Sequence, residues 1–99
     1  MPYKSGFEWD EDKRQANIAK HGVDFLRAAL IFDGPVVQRI DDRFEYEEIR
    51  MISLGLSEGM VYRVIHTERD SRQRIISAQK ANRNEQEIFY RSVFGGGNP

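Results

Sequence analysis

Six cations, Arg50, Arg63, Arg72, Arg74, Lys80 and Arg83, gather around one imidazole, His66, in strand-like sequence and just beyond it. That set suits cleavage of a phosphodiester by a neighbouring 2′-hydroxyl. The reaction needs a base for the hydroxyl, cationic donors for a phosphorane-like transition state and a proton for the leaving oxygen, and side chains alone supply all three. Histidine fits the proton steps because its unperturbed pKa of roughly 6.5 leaves both forms available near neutrality. Arginine fits the charge step because its planar fork meets two phosphate oxygens at once. Arg74 and Lys80 stand at the two ends of one predicted strand with Arg83 just beyond, and this trio is the leading candidate for phosphate contact. His21, beside Lys20, is a second imidazole for proton transfer, and it reads equally as a partner for a negative helix end. The plainer readings are a hydrogen-bonded, half-buried strand residue for His66, surface ion pairs for Arg63, Arg69 and Arg72, and a core residue for Trp9.

Other chemistries are poorly served. The chain has no cysteine, and its two histidines lie far apart, so neither a thiol nucleophile nor a metal site is expected. No glycine-rich phosphate loop opens a helix; Gly95 to Gly97 follow one instead. Asp41-Asp42 and Glu47-Glu48 read as a solvated acidic loop rather than an acid/base pair, or alternatively as a surface that repels RNA and suits a basic protein partner. Charge is uneven: residues 1–60 carry eight basic and twelve acidic side chains, whereas residues 61–99 carry seven and four, so only the second part attracts a polyanion. No apolar run is long enough to span a bilayer and residues 1–6 lack a secretory layout, so a cytoplasmic protein is expected.

The positioning elements follow from pattern. At 99 residues, one domain over 1–94 with a flexible glycine-rich tail over 95–99 is expected. Phe7 and Trp9 alternate around Glu8 as a short strand. Asp10 caps a helix from Glu11 to Lys20, which Gly22 stops. Asp24 caps a second helix, Phe25 to Phe32, ended by Asp33-Gly34-Pro35. Val36 to Ile40 is a strand, and Glu48 to Leu56, Met60 to Thr67 and Gln73 to Gln79 form an antiparallel meander turning at Ser57-Glu58-Gly59 and at Glu68-Arg69-Asp70-Ser71. Asn82 or Asn84 caps a last helix carrying Ile88, Phe89 and Val93. These elements make an α+β layer fold with helices on one sheet face and the other face open. In the last strand, strict alternation puts Arg74, Ile76 and Ala78 on one face and Ile75 and Ser77 on the other.

The blocks Phe7-Glu8-Trp9-Asp10, Lys20-His21-Gly22-Val23, Arg50-Met51-Ile52-Ser53-Leu54-Gly55, Val64-Ile65-His66-Thr67-Glu68-Arg69 and Arg74-Ile75-Ile76-Ser77-Ala78-Gln79-Lys80-Ala81 fall in family order, and through them the chain resembles the BrnT family of type II toxins. The resemblance implies a RelE-like fold, two N-terminal helices and a C-terminal helix packed on the meander. It implies a metal-independent ribonuclease that needs no cofactor, cleaves RNA through the 2′-hydroxyl and inhibits translation. It also implies a BrnA-like ribbon-helix-helix antitoxin that forms a hetero-oligomer with the toxin and brings it to promoter DNA. Matching positions and chemistry together select Arg50, His66, Arg74 and Lys80 as catalytic candidates, and Lys20, His21, Arg63 and Arg83 as RNA-binding ones. Family members often carry arginine where this chain has Gln79, which removes one phosphate contact. Two alternatives stay open: a non-catalytic antitoxin-binding co-repressor, and an unrelated α+β interaction domain.

Overall fold

Short polar signals begin and end the helices. In the computed structural model, which describes residues 6–95, the Asp10 carboxylate accepts from the Lys13 N–H and starts α1 (Glu11–His21). Gly22 ends it in the left-handed conformation, φ 70°, with its N–H on the Ile18 carbonyl. Asp24 caps α2 (Phe25–Ala29), which tightens into a 3-10 turn, Leu30–Asp33. The Arg14 fork clasps the Asp24 carboxylate at 2.8 Å through both Nε and Nη2, tying the two helices together. Asn82, of the two candidates, caps α3 (Arg83–Tyr90) in a reciprocal capping box with Glu85, and a wider helical turn follows at Arg91–Gly95. Of the expected tail, residues 96–99 lie outside the described residues.

The strands are β1 (Phe7–Glu8), β2 (Val36–Ile40), β3 (Arg50–Ser57), β4 (Met60–Arg69) and β5 (Arg72–Lys80), joined in the order β1-β5-β4-β3-β2. The last four are antiparallel as expected, but β1 adds parallel to β5 and makes the sheet mixed. The register slips at Ile65/His66, where Ser77 faces Ile65 and Ile75 faces His66, leaving Ile76 as the extra residue of a bulge. This corrects the strict alternation expected for β5: Ile75 and Ala78 share one face, while Arg74 and Ser77 share the other.

Helices cover both faces, which corrects the expectation of one open face. On one side Tyr62, Val64, Ile75 and Ala78 pack under Val23, Phe25, Ala28, Ala29 and Ile31, with Phe7 and Trp9 closing the core. The approach is close at Gly55, where an added Cβ would lie 2.7 Å from that of Ile31. On the other side α3 covers only the end of the sheet near the β3–β4 turn, where Phe89 buries against Leu54, Val61 and Ala81. α1 contributes little apolar surface; its single buried residue is Asn17. The Asn17 side chain donates to the carbonyls of Val23 (2.9 Å) and Ala78 (2.7 Å) and accepts from the Ala78 N–H at 3.2 Å. It thus occupies the β5 edge beyond the two-residue β1, where a neighbouring strand would otherwise bond.

Candidate nucleic-acid interface

The sheet face shared with α3 carries no helix, among the described residues, at its end near the Asp70–Ser71 turn. Register places Arg50 opposite Thr67 and Thr67 opposite Arg74, a row across β3, β4 and β5 that Glu8 of β1 extends. Arg69 and Arg72 face each other in the next row on the same side. Strand spacing puts the backbones of Arg50 and Arg74 about 10 Å apart. Their guanidinium groups are held in place: Arg74 Nη1 meets Glu8 Oε2 at 2.9 Å, and Glu48 takes Arg69 at 3.0 Å and Arg50 at 3.3 Å. Arg69, with Arg50 secondarily, holds the Glu48 carboxyl below the usual range, so it stays ionised at neutral pH. Thr67 is buried and its hydroxyl donates to the Ile49 carbonyl at 2.7 Å.

The loop between β2 and β3 supports this row. Asp41, expected to be solvated, is 3% exposed and organises the loop. Its carboxylate accepts from the Arg43 N–H, from the Arg43 fork at 2.7 and 2.8 Å and from the Tyr46 hydroxyl at 3.1 Å. Those donors, the Arg43 guanidinium first, hold its pKa far below the ordinary carboxylate range. The Tyr46 ring in turn lies 4.1 Å from the Arg50 guanidinium carbon. A buried carboxylate therefore fixes a tyrosine that backs an arginine of the row.

The predicted site residues separate into groups. The bulge puts Arg74 on the α3 face and Lys80 on the opposite one, so the two do not converge as strict alternation would have them. Arg63 is 13% exposed and sits 3.1 Å from Glu85, which ties it to the start of α3; its register partner is Gln79. Arg83 is exposed on the first turn of α3. Lys20 and His21 line, with Lys13, Asn17, Ile76 and Ser77, a groove of about 200 Å³ between α1 and β5. Ser77 shares the Arg74 face, so this basic groove adjoins the arginine rows around the β5 edge. Arg69 and Arg72 join the row because a two-residue turn sets them side by side, a pairing that the strand pattern expected only from residue 73 onward. Trp9 is a core residue, 2% exposed. Among the described residues no group of three or more His, Asp or Glu is placed to hold a metal ion.

His66 is enclosed on the helix side, 2% exposed, with the Phe32 ring edge-on at 5.0 Å. Its Nδ1–H donates to Gln73 Oε1 at 2.7 Å, so Nε2 accepts from the Ser53 hydroxyl at 2.7 Å, and Ser53 Oγ accepts from Gln38 at 2.8 Å. This polar chain runs behind the arginine row, from β2 to β5. Burial pushes the imidazole below its usual 6.5, against the opposing pull of Gln73. The unfolded chain takes up a proton near 6.5 that the folded chain resists, so stability from neutral His66 is complete above that pH and is lost as the pH falls through the lower folded pKa. Urea titrations between pH 5 and 7.5 are expected to show this rise, and His66→Gln to flatten it; equal slopes for the two proteins would refute the assignment.

A family model described as ribonuclease toxin, BrnT, of type II toxin-antitoxin system matches residues 9–85, which take in β2 to β5 entire and the start of α3. No curated protein matches the chain.

Proposed function

The chain belongs to the BrnT family, ribonuclease toxins of type II toxin-antitoxin systems, and from that premise we propose that the open part of the α3 face is where it cleaves RNA. The observation that carries this reading is the Arg50–Thr67–Arg74 row with Arg69 and Arg72 beside it. Arg50 and Arg74 hold the non-bridging oxygens of the scissile phosphate, leaving Glu48 and Glu8 as substrate binds. They stabilise the extra negative charge as the 2′-hydroxyl attacks phosphorus. That attack forms the 2′-oxygen–phosphorus bond, breaks the bond to the 5′-oxygen, and yields a 2′,3′-cyclic phosphate and a 5′-hydroxyl, with no metal required. Lys20 and His21 extend the track along the β5 edge, and His21, on that surface, is the imidazole assigned to proton transfer. His66 keeps a positioning role, fixing Gln73 between Arg72 and Arg74. Lys80, Arg63 and Arg83 lie toward the other end of the sheet and serve flanking RNA or the α3 anchor.

The protein acts in the cytoplasm under this reading, and a ribbon-helix-helix antitoxin neutralises it and carries it to promoter DNA. Type II membership supports an antitoxin partner; the ribbon-helix-helix class comes from the family resemblance.

Purified protein is expected to cleave single-stranded RNA in excess chelator and to leave cyclic phosphate ends. A single 2′-deoxy nucleotide at the cleaved position should block the reaction. Cleavage that vanishes with chelator and returns with a divalent ion, or that proceeds past the deoxy nucleotide, would overturn the mechanism. Absence of cleavage together with tight antitoxin binding would favour the co-repressor reading.

A further inference from the structure

A groove of about 500 Å³ at the Asp70–Ser71 end of the sheet has an apolar floor and an acidic rim. Ile49 and Met51 make the floor, Glu48, Glu68 and Asp70 the rim, and no lysine or arginine lines it. Register sets Ile40 opposite Met51, so the apolar strip runs on to the edge strand β2. Ile40 is 57% and Ile49 70% exposed. Large apolar side chains left open to water and rimmed by charge mark a surface that meets another molecule. The charge around them is of one sign. Residues 41–48, the adjoining loop, carry five acids against Arg43 alone. Asp42, Glu45, Glu47, Glu68 and Asp70 enter no ion pair among the described residues.

We propose that the antitoxin docks in this groove through a basic amphipathic segment, its apolar side on Ile40, Ile49 and Met51 and its cations on Glu68 and Asp70; the proposal rests on the antitoxin partner named above. Charge complementarity selects the occupant. RNA brings a negative charge with every nucleotide, so this rim repels it while the arginine row on the opposite sheet face attracts it. A lone metal ion does not fit either, because among the described residues no three acids are placed to hold one. A protein segment that spreads several cations along an apolar stripe matches both floor and rim. The groove also reaches the arginine row. Glu48 lines it and holds Arg69 at 3.0 Å and Arg50 at 3.3 Å, so a docked cation competes with both arginines for that carboxylate. Occupancy of the groove thereby disturbs the surface proposed to hold phosphate.

The test measures binding of the purified antitoxin, encoded beside this chain, over a range of salt concentrations. Glu68→Gln together with Asp70→Asn is expected to raise Kd on the order of tenfold at low salt and to flatten its salt dependence. Ile49→Ala should also raise Kd on the order of tenfold, but equally at every salt concentration. All three side chains are exposed, so these variants should melt with the wild type and cleave RNA as it does. An unchanged Kd in both variants overturns the docking site, as does tighter binding by the neutralised protein. A raised KM for RNA in Ile49→Ala with normal antitoxin binding also overturns it and gives the groove to RNA. A free chain that sediments as a dimer, dispersed by Ile49→Ala with antitoxin affinity unchanged, overturns it in favour of a second copy. Binding is read without cleavage, so an inactive wild type counts against the ribonuclease reading alone.

Discussion

Arg74→Ala is expected to lower RNA cleavage about 10²–10³-fold, the usual loss when one preorganised donor to a transition-state oxyanion is removed. The size follows from position. Arg74 lies in the middle of the row between Thr67 and Glu8, is 19% exposed, and has its fork pre-set by the Glu8 carboxylate at 2.9 Å. Arg74→Lys keeps the charge and loses the fork, so it should recover only part of the rate. Glu8→Gln separates the arginine's own contribution from that of its partner: it removes the carboxylate that competes with phosphate, and KM should fall or stay level. Arg74→Ala leaves the Glu8 carboxylate, 18% exposed, without its partner and should lower the melting temperature, so cleavage is compared at a temperature where both proteins are folded. An Arg74→Ala protein with full activity, correctly folded, would remove the row from the chemistry.

The largest expected effect on stability belongs to Asn17→Ala, a loss of about 2–4 kcal/mol measured by urea unfolding. Three hydrogen bonds disappear together, and the N–H and C=O of Ala78 are left in a buried place without partners. Each such orphan costs roughly 1–3 kcal/mol, against a total stability of about 5–15 kcal/mol for a domain of this kind. Asn17→Asp should be at least as damaging, because a carboxylate cannot donate to the Val23 and Ala78 carbonyls. A change below about 0.5 kcal/mol would mean that water takes over the β5 edge.

Arg74 stands out in the sequence as one of a cationic trio, whereas Asn17 does not. Asn17 sits in a polar helix, and nothing in its neighbours distinguishes an amide that bonds a strand 61 residues away from one that faces water. By contrast, Asp10, Gly22, Asp24 and Asn82 were legible because capping depends on a residue and its nearest neighbours in the chain. The β3–β4 hairpin was legible for the same reason, with Glu58 and Gly59 both at positive φ. The bulge at Ile76 was not: it arises between two strands, and one extra residue reverses which β5 side chains share a face. Alternation therefore pairs Arg74 with Lys80, while the arginines gathered at one end of a single face, Arg50, Arg69, Arg72 and Arg74, come from three strands. The second helix-covered face was hidden too, because Phe89 and Val93 mark α3 as amphipathic without saying which side of the sheet receives it. The family match spans residues 9–85, which hold the whole arginine row except its Glu8 partner.

The parallel pairing of β1 with β5 has a consequence for timing. A ribosome releases Glu8 long before Arg74, 66 residues later, and Asn17 long before Ala78. The first strand and first helix must wait for the last strand, since a two-residue β1 has no other partner in the sheet. Arg50, Thr67 and Arg74 likewise come into line only once β5 has emerged. The proposed catalytic surface thus assembles late, once β5 has left the ribosome and with only α3 and the turn after it still to follow.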